Sequence, residues 1–223
     1  MDNKYKAKVI ETVASNIDKN YDTLSDVLET EYEFPALDPV RYEICLCLMS
    51  GLNQAALTLT NHLLESVLKK FLILHDSPCK TQNSSELTSV FADATEKYAD
   101  KKLFDLIEDA YAFGLINNQE KEQLHVFRKV YRNPYSHANP RQTLPDRPLP
   151  IRLLFKDEIE SVADFHKFFA PPNVEVNPQN FLPMQGVLQV LLAETCAKDY
   201  FLKVDDIVRR INKRLHSEGA EEK

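Results

Sequence analysis

Hydrophobic residues recur at steps of three and four along most of the chain, and this spacing predicts amphipathic helices. Residues 4–32 carry one such stripe, and residues 40–74 carry the longest, with no proline in that interval. The predicted inward positions of the second segment are Leu48, Leu52, Ala55, Leu59, Leu63 and Val67. A single helix over residues 40–74 would span about 50 Å and would form the backbone of a helical bundle.

Three shorter helices are predicted in the middle of the chain, over residues 85–98, 103–113 and 119–133. Gly114 marks the end of the second helix, and Asn118 is the expected N-cap of the third. Pro134 is expected to end the third helix, because the residue before a proline is displaced from the α region of backbone space.

Prolines are concentrated in the last part of the chain, where nine of the 12 lie between positions 134 and 183. Residues 139–152 and 171–183 are therefore predicted to be irregular or extended arms, with a helix at 156–169 between them. Residues 185–215 repeat the amphipathic pattern and are predicted to form a long helix that packs back on the bundle.

The composition indicates a helical, soluble protein. The chain has 223 residues and only 4 glycines, so we expect one all-α domain over residues 1–223. No apolar run is long enough for a signal peptide or a membrane span, and the four cysteines lack metal-binding spacing. We therefore expect a cytoplasmic protein with no metal site, no cofactor and no membrane contact.

Charge is unevenly distributed along the chain. The formal net charge of −7 argues against a protein that coats nucleic acid. Residues 128–152, however, contain six basic residues and one acidic residue, an excess of five positive charges. This basic island can hold a polyanion at one site, with Arg128, Lys129 and Arg141 as candidate substrate-binding residues. A solvated basic loop without a ligand is the alternative interpretation.

The strongest candidate for chemistry is the hexapeptide at residues 132–137, which begins with Arg132 and Asn133 and ends with His137. Its arginine follows Arg128 by one helical turn and lies where the helix dipole favours a cation. An arginine can grip a phosphate, and a histidine exchanges protons near neutral pH. An enzyme that cuts RNA without a metal needs both groups.

This hexapeptide resembles the signature of the HEPN family (higher eukaryotes and prokaryotes nucleotide-binding). In that signature an arginine and a polar residue, often asparagine, precede a histidine, with four to six residues between arginine and histidine. Four residues separate Arg132 from His137 here, and Asn133 is the polar residue.

The helix that precedes the motif also resembles its counterpart in that family, through the small Ala55-Ala56 pair and the Leu64-Glu65 step. The resemblance covers residues 38–140 and implies a HEPN-like helical bundle as the core. Residues 141–223 would then be a proline-rich arm followed by C-terminal helices.

The resemblance implies a metal-independent endoribonuclease in which the ribose 2′-hydroxyl attacks the adjacent phosphate, leaving a 2′,3′-cyclic phosphate. His137 would transfer the proton, Arg132 would neutralise charge on the phosphate, and Asn133 would orient the loop or the phosphate. Glu65 would either orient Arg132 or form an ordinary surface salt bridge with it. The family also implies RNA as substrate, a homodimer that combines two motifs, and a toxin or antiphage-defence role under an antitoxin or regulatory protein.

Two alternatives fit the same residues. The first is a catalytically inactive HEPN-like module that binds a partner protein or a nucleotide. The second is a helical scaffold in which the motif occurs by chance. Arg132 and His137 in one shared cleft would favour the enzyme, whereas an ion-paired Arg132 with a buried His137 would favour the module.

Charged residues near the C-terminus form a pattern that supports a helix. Asp205 and Asp206 precede Arg209 and Arg210 by four positions, a spacing typical of ion pairs within one helix. Arg210 and His216 also have the spacing of the signature, but no asparagine follows this arginine directly. We therefore do not expect a second site there.

Overall fold

The computed structural model describes residues 3–32, 34–77, 91–136, 141, 144–151 and 174–221. Within these residues the chain is mostly helical, which confirms the all-α prediction. The helices are α1 (Asn3–Glu29), α2 (Asp38–Met49), α3 (Asn53–Asp76), α4 (Ala92–Ala99), α5 (Leu103–Ala112), α6 (Asn118–Phe127), α7 (Asn133–Ser136) and α8 (Leu182–Glu221). A π-helical turn at Arg128–Arg132 joins α6 to α7, and strands β1 (Leu149–Ile151) and β2 (Val174–Val176) pair antiparallel.

The segment predicted as one helix over residues 40–74 is two helices, so that prediction is wrong. Pro39 lies in the first turn of α2, where its missing N–H costs little, and the chain turns at residues 50–52 before α3 begins. Gly51 makes this turn with a φ of 74°, a conformation that glycine adopts without the steric penalty of a Cβ. The turn changes the inward face of the segment, so Leu52 is 58% exposed and Ala55 is also exposed, contrary to prediction.

Helices α3 and α8 pack along each other at the centre of the bundle. The buried residues of α3 are Ala56, Leu57, Thr60, Asn61, Leu63, Leu64, Val67, Leu68, Phe71 and Leu72. Helix α8 adds Ala193, Ala197, Tyr200, Phe201, Val204, Ile207, Val208 and Ile211 to the same core. Burying one large aliphatic side chain contributes roughly 1.5–3 kcal/mol, so the buried face of α8 contributes substantially to the stability of the bundle.

Helix α1 is held to the bundle along its second half. Leu24 and Val27 are buried, and the Asn20 side chain donates a hydrogen bond to the last turn of α2. In the first half, Val9 and Ile10 are 61% and 58% exposed. The apolar stripe predicted for residues 4–32 is therefore buried at one end of the helix and exposed at the other.

Helix α6 begins with a capping box. The Asn117 side chain accepts a hydrogen bond from the Glu120 backbone N–H at 2.9 Å, and the Glu120 carboxylate accepts one from the Asn117 N–H at 2.9 Å. The N-cap is therefore Asn117, one residue before the predicted Asn118. This arrangement satisfies two backbone donors that a helix start leaves unpaired.

Pro134 does not end the helix, contrary to prediction. Helix α6 continues into the π turn, and α7 follows directly, with Asn133 keeping α-helical angles of φ −63° and ψ −48°. A proline inside a helix removes one hydrogen bond, and its ring collides with the carbonyl four residues back. The carbonyl four residues before Pro134 belongs to Val130, within the π turn, where the regular α-helical hydrogen-bond pattern is already interrupted.

Part of the proline-rich segment forms the two-stranded sheet, in which Leu149 pairs with Val176 and Ile151 with Val174. The buried residues of the small core beside it are Leu144, Ile151 and Leu188. The arms predicted to be irregular or extended thus contain a short β pairing that packs on the start of α8. The helix predicted at residues 156–169 lies outside the described residues.

Candidate functional site

Arg132 ends the π turn and reaches the middle of α3. Its Nη2 atom is 3.6 Å from Oε2 of Glu65, and the two side chains are 28% and 29% exposed. This separation exceeds the usual hydrogen-bond range of roughly 2.7–3.2 Å, so the contact is an ion pair. Lys69 shares the carboxylate, with its Nζ atom 3.3 Å from the other oxygen of Glu65. Glu65 and Arg132, paired in the sequence analysis, are therefore neighbours held by a loose, partly solvated contact.

Arg128, at the start of the π turn, lies over an aromatic ring of α5. Its guanidinium carbon is 5.2 Å from the centroid of Phe104, within cation–π range. The Phe104 side chain is 46% exposed, and Lys129 next to Arg128 is also exposed. This side of the helix thus presents a cation together with an aromatic ring that solvent can reach.

His125 lies one turn before Arg128 and joins the same surface. Its ring is 5.0 Å from that of Phe104, and its Nε2 atom is 2.8 Å from Oε1 of Glu108. Lys121 donates a hydrogen bond to the other oxygen of Glu108 at 2.6 Å. The hydrogen bonds from Lys121 and His125 lower the pKa of the Glu108 carboxyl below its usual value. Glu108 therefore stays ionised and fixes the histidine ring beside Phe104.

The other predicted site residues are placed less completely. Asn133 is partly buried at the start of α7, directly after Arg132. Arg141 is exposed, and its carbonyl oxygen accepts a hydrogen bond from the Gln179 side chain at 3.3 Å. His137 lies outside the described residues. The site geometry given above therefore rests on Arg132, Glu65 and their neighbours.

The helix formed by α6, the π turn and α7 carries the motif and is called the motif helix below. Its inner side is aromatic. Tyr131 stacks on Tyr200 of α8, with ring centroids 4.3 Å apart, and Phe127 meets Tyr200 edge-on at 5.1 Å. Tyr135 is hydrogen-bonded to Cys196, and burial is the main cause that raises the pKa of Tyr135 to about 12. These packed rings turn the opposite side of the helix, with its arginines, toward α3 and α5.

A buried charged cluster joins α8 to Tyr32, which follows α1, and to Arg41 of α2. Asp205 accepts hydrogen bonds from the Tyr32 hydroxyl at 2.5 Å, from Arg41 Nε at 2.8 Å and from Arg209 Nε at 2.7 Å. Burial and the neighbouring carboxylate raise the pKa of Tyr32 well above its usual value. Both predicted i,i+4 pairs form, Asp205 with Arg209 at 2.7 Å and Asp206 with Arg210 at 2.9 Å. Asp205 is only 4% exposed, so its pair belongs to the buried cluster, whereas Asp206 is exposed.

The position of Asp205 in the sequence contains a signal for this burial. It lies four residues after Phe201 and three before Val208, on the apolar face of α8. A carboxylate on such a face needs a cationic partner from another helix, and Arg41 supplies it. An open cavity of about 690 Å³ adjoins the cluster, lined by Glu29, Thr30, Glu31, Tyr32, Arg209, Asn212 and Lys213. The cluster's own polar groups are engaged with one another, which is typical of a structural role.

Arg210, the arginine of the second motif-like spacing, belongs to another ion cluster. Glu120 is fully buried, and its carboxylate is 3.1 Å from Arg210 Nη1 and 2.7 Å from Arg214 Nη2. The same glutamate forms the capping box of α6. Arg210 therefore helps attach α8 to the motif helix, as expected for a residue outside the candidate site.

The described ranges contain no group of three His, Cys, Asp or Glu side chains arranged to hold a metal ion. None of the helices in these ranges is long and apolar enough to cross a membrane. Comparison of the chain with models of known families, with curated proteins and with solved structures found no match.

Proposed function

We propose that this protein is a metal-independent endoribonuclease of the HEPN type that acts as an intracellular toxin or in antiphage defence. The observation that supports this proposal is the setting of Arg132. Its guanidinium is partly exposed at the end of a π turn and is held only by a 3.6 Å ion pair with Glu65. π turns within α-helices are frequent at functional sites.

The Glu65 contact suits an arginine that must receive a phosphate. A partly exposed ion pair contributes roughly 0–1 kcal/mol to stability. Arg132 can therefore leave the Glu65 carboxylate, or share it, to bind a phosphate oxygen at little cost in free energy. Glu65 also keeps the guanidinium at one side of α3 while no substrate is bound. Arginine is well suited to this role because its planar fork can donate two parallel hydrogen bonds to a phosphate.

The reaction follows from the motif residues. His137 removes the proton from the ribose 2′-hydroxyl, and the 2′-oxygen bonds to phosphorus as the bond to the 5′-oxygen breaks. A protonated His137 from the second copy of a homodimer supplies the proton that the leaving 5′-oxygen needs. Arg132 neutralises the charge that builds on the phosphate oxygens, and Asn133 orients the phosphate or the loop. Arg128, Lys129 and Arg141 hold the neighbouring phosphates of the RNA.

The exposed ring of Phe104 extends this arrangement. It lies under Arg128, which precedes Arg132 by one turn, and its exposed surface is an apolar face on which a nucleobase can stack. Stacking on an aromatic side chain is a common way to hold single-stranded RNA without reading its sequence. A strand whose phosphate reaches Arg132 would thus place a neighbouring base near Phe104.

The test is incubation of the purified protein with mixed cellular RNA in excess EDTA. Wild type is expected to cleave and to leave cyclic-phosphate ends, whereas Arg132→Ala and His137→Ala lose at least 100-fold, the lower range for a general acid or base. Lys203→Ala and His62→Ala are matched controls, because both side chains are exposed and lie outside the motif and outside the basic island of residues 128–152. Equal cleavage by wild type and both motif variants would overturn the assignment of the site.

A second candidate function is a catalytically inactive module that binds a nucleotide or a partner protein through the same surface. The ion pair between Arg132 and Glu65 favours it, because an arginine already paired with a carboxylate can be purely structural. The module is expected to bind a nucleotide or partner protein without cleaving RNA, with binding weakened by Arg132→Ala and unchanged by Lys203→Ala.

A further inference from the structure

Two rows of side chains face each other on the surface between α5 and α6, and together they are called the seam below. Each row follows steps of three and four residues, so its members share one face of their helix. The members are Phe104, Glu108 and Tyr111 on α5, and Arg128, His125 and Lys121 on α6 and the start of the π turn. The two rows run in opposite directions along the chain, so each aromatic residue of α5 meets a basic residue of the other row.

Both aromatic rings of the seam lie beside a cation. The guanidinium carbon of Arg128 is 5.2 Å from the ring centroid of Phe104, and the Lys121 ammonium is 4.6 Å from that of Tyr111. Solvent reaches both rings, since Phe104 is 46% and Tyr111 is 41% exposed. The seam thus presents two aromatic surfaces, each with a positive charge next to it, which is the composition of surfaces that bind single-stranded nucleic acid.

The carboxylate in the middle of the seam is already compensated. The two oxygens of Glu108 are 2.6 Å from Lys121 Nζ and 2.8 Å from His125 Nε2. The exposed acidic neighbours Asp105 and Glu122 lie about 100° around their helices from Phe104 and Lys121, which directly precede or follow them. A phosphate that approaches the seam therefore meets a carboxylate neutralised by a lysine.

The seam leads directly to the motif. Arg128 begins the π turn that ends at Arg132, and the exposed Lys129 follows Arg128. Seven residues separate Phe104 from Tyr111, a distance of about 10.5 Å along α5. Bases stacked directly on one another are about 3.4 Å apart, so the two rings are too far apart for neighbouring stacked bases. They fit a strand whose bases are separated from one another, as single-stranded RNA allows.

We propose that the seam binds single-stranded RNA, with one base on Phe104 and a second base on Tyr111, while Arg132 holds the phosphate that is cleaved. This inference rests on the proposed endoribonuclease function and specifies its substrate as a single strand. A duplex keeps its bases paired and stacked and cannot present them to the two rings. Lys121 and Arg128 lie beside the rings and attract the phosphates that connect the bound bases.

Binding of a 2′-O-methyl RNA of about 12 nucleotides, measured by fluorescence anisotropy, tests the seam without cleavage. Tyr111→Leu is expected to raise the Kd at least fivefold, because one stacked base is lost. Tyr42→Leu is the matched control, since it makes the same substitution at a tyrosine that is 55% exposed on α2, and it is expected to leave the Kd unchanged. A duplex of the same sequence is expected to bind wild type more weakly than the single strand.

The salt dependence of binding tests the role of Lys121. Lys121→Gln is expected to lower the slope of log Kd against log salt concentration by about one, because one phosphate contact is lost. Lys101→Gln is the matched control and is expected to leave the slope unchanged. Lys101 also pairs with a carboxylate of α5, Asp109, and lies 5.0 Å from an aromatic ring, but that ring belongs to the buried Tyr98.

The outcomes separate the seam from the proposed catalysis. An affinity for single-stranded RNA that Tyr111→Leu leaves unchanged, or equal affinities of wild type for the strand and the duplex, would overturn the seam even if Arg132 and His137 cleave RNA. Equal slopes for Lys121→Gln and Lys101→Gln would overturn it as well. Binding that requires Tyr111 without any cleavage would support the seam and overturn the endoribonuclease instead.

Discussion

Tyr131 stacks on Tyr200, with ring centroids 4.3 Å apart and ring planes inclined by 26°. Tyr131 belongs to the π turn and directly precedes Arg132, while Tyr200 is fully buried in α8. The Tyr200 hydroxyl also donates a hydrogen bond to the Asn61 side chain of α3 at 2.8 Å. One side chain of the C-terminal helix thus fixes both the motif turn and the central helix of the bundle.

Replacing Tyr131 by leucine is expected to lower the free energy of unfolding by about 1–2 kcal/mol. The substitution removes the ring stack but keeps an apolar side chain against α8. Urea unfolding followed by circular dichroism measures the loss. Tyr42→Leu is the control, because Tyr42 is 55% exposed and is expected to change stability by less than about 0.5 kcal/mol. Equal effects of the two substitutions would contradict a structural role for the stack.

Phe104→Leu is expected to weaken binding of single-stranded RNA by about 1–3 kcal/mol while leaving the fold intact. Leucine keeps the apolar contact with Arg128 but offers no ring on which a base can stack. Fluorescence anisotropy with a 2′-O-methyl RNA, which cannot be cleaved, isolates binding. Phe113→Leu serves as control, since Phe113 is similarly exposed but stacks on His75, away from the motif. RNA affinity unchanged by Phe104→Leu would remove Phe104 from the binding surface.

The helical pattern made much of this architecture predictable. The periodicity of residues 103–113 and 185–215 matches the observed α5 and α8 closely, because a helix that buries one face must repeat at 3–4 residues. The break at Gly51 could not be read from the same pattern, because apolar residues continue through it. A glycine within a helical pattern is often tolerated, and only the packing of α2 against α3 shows that this one turns the chain.

Contacts between distant segments explain the other differences. The sequence places Asp205 and Asp206 side by side, but only the fold decides that Asp205 meets Arg41 in the core while Asp206 stays in solvent. A contact between Glu65 and Arg132 is expected from the sequence, but its separation of 3.6 Å depends on how α3 packs against the π turn. The role of Glu108 beside His125 also depends on how α5 and α6 pack.

Glu120→Gln is expected to destabilise the protein by about 1.5–3 kcal/mol, the range for a hydrogen bond to a charged group. It would remove the buried carboxylate that both Arg210 and Arg214 contact, and these arginine side chains are partly solvated at 41% and 30% exposure. Asp206→Asn offers the matched comparison, because it removes an exposed carboxylate from the same Arg210. That change is expected to cost less than about 1 kcal/mol in the same denaturation experiment. Similar losses from both would mean that the Glu120 cluster contributes no more than a surface pair.

Gly51→Ala is expected to destabilise the protein by more than Gly114→Ala. Both glycines have a positive φ, of 74° and 75°, so alanine at either site costs about 1–2 kcal/mol of backbone strain. A methyl group at Gly51 would also collide with the Asn16 side-chain amide, whereas the space at Gly114 is open. Adding Asn16→Ala to Gly51→Ala should therefore raise the melting temperature to about that of Gly114→Ala. A double variant no more stable than Gly51→Ala alone would show that Asn16 is not the obstacle.

Stability is expected to fall more steeply above pH 10 in wild type than in Tyr32→Phe. The usual pKa of tyrosine is near 10.0, and burial beside Asp205 raises the pKa of Tyr32 above it. Above pH 10 the unfolded chain loses this proton while the folded chain keeps it, so the contribution present below pH 10 is progressively lost. Urea midpoints from pH 8 to pH 11 measure the slope. Parallel slopes for the two proteins would show that Tyr32 does not titrate with unfolding.

The carboxylate of Asp205 has a consequence for the order in which the protein forms. Its partners Tyr32 and Arg41 are 173 and 164 positions earlier in the chain. During synthesis, Arg41 leaves the ribosome long before Asp205 is made. Until then its guanidinium stays hydrated and cannot be buried against α8. The bundle can close only when α8 arrives, which makes completion of the core a late step that follows translation of nearly all these residues.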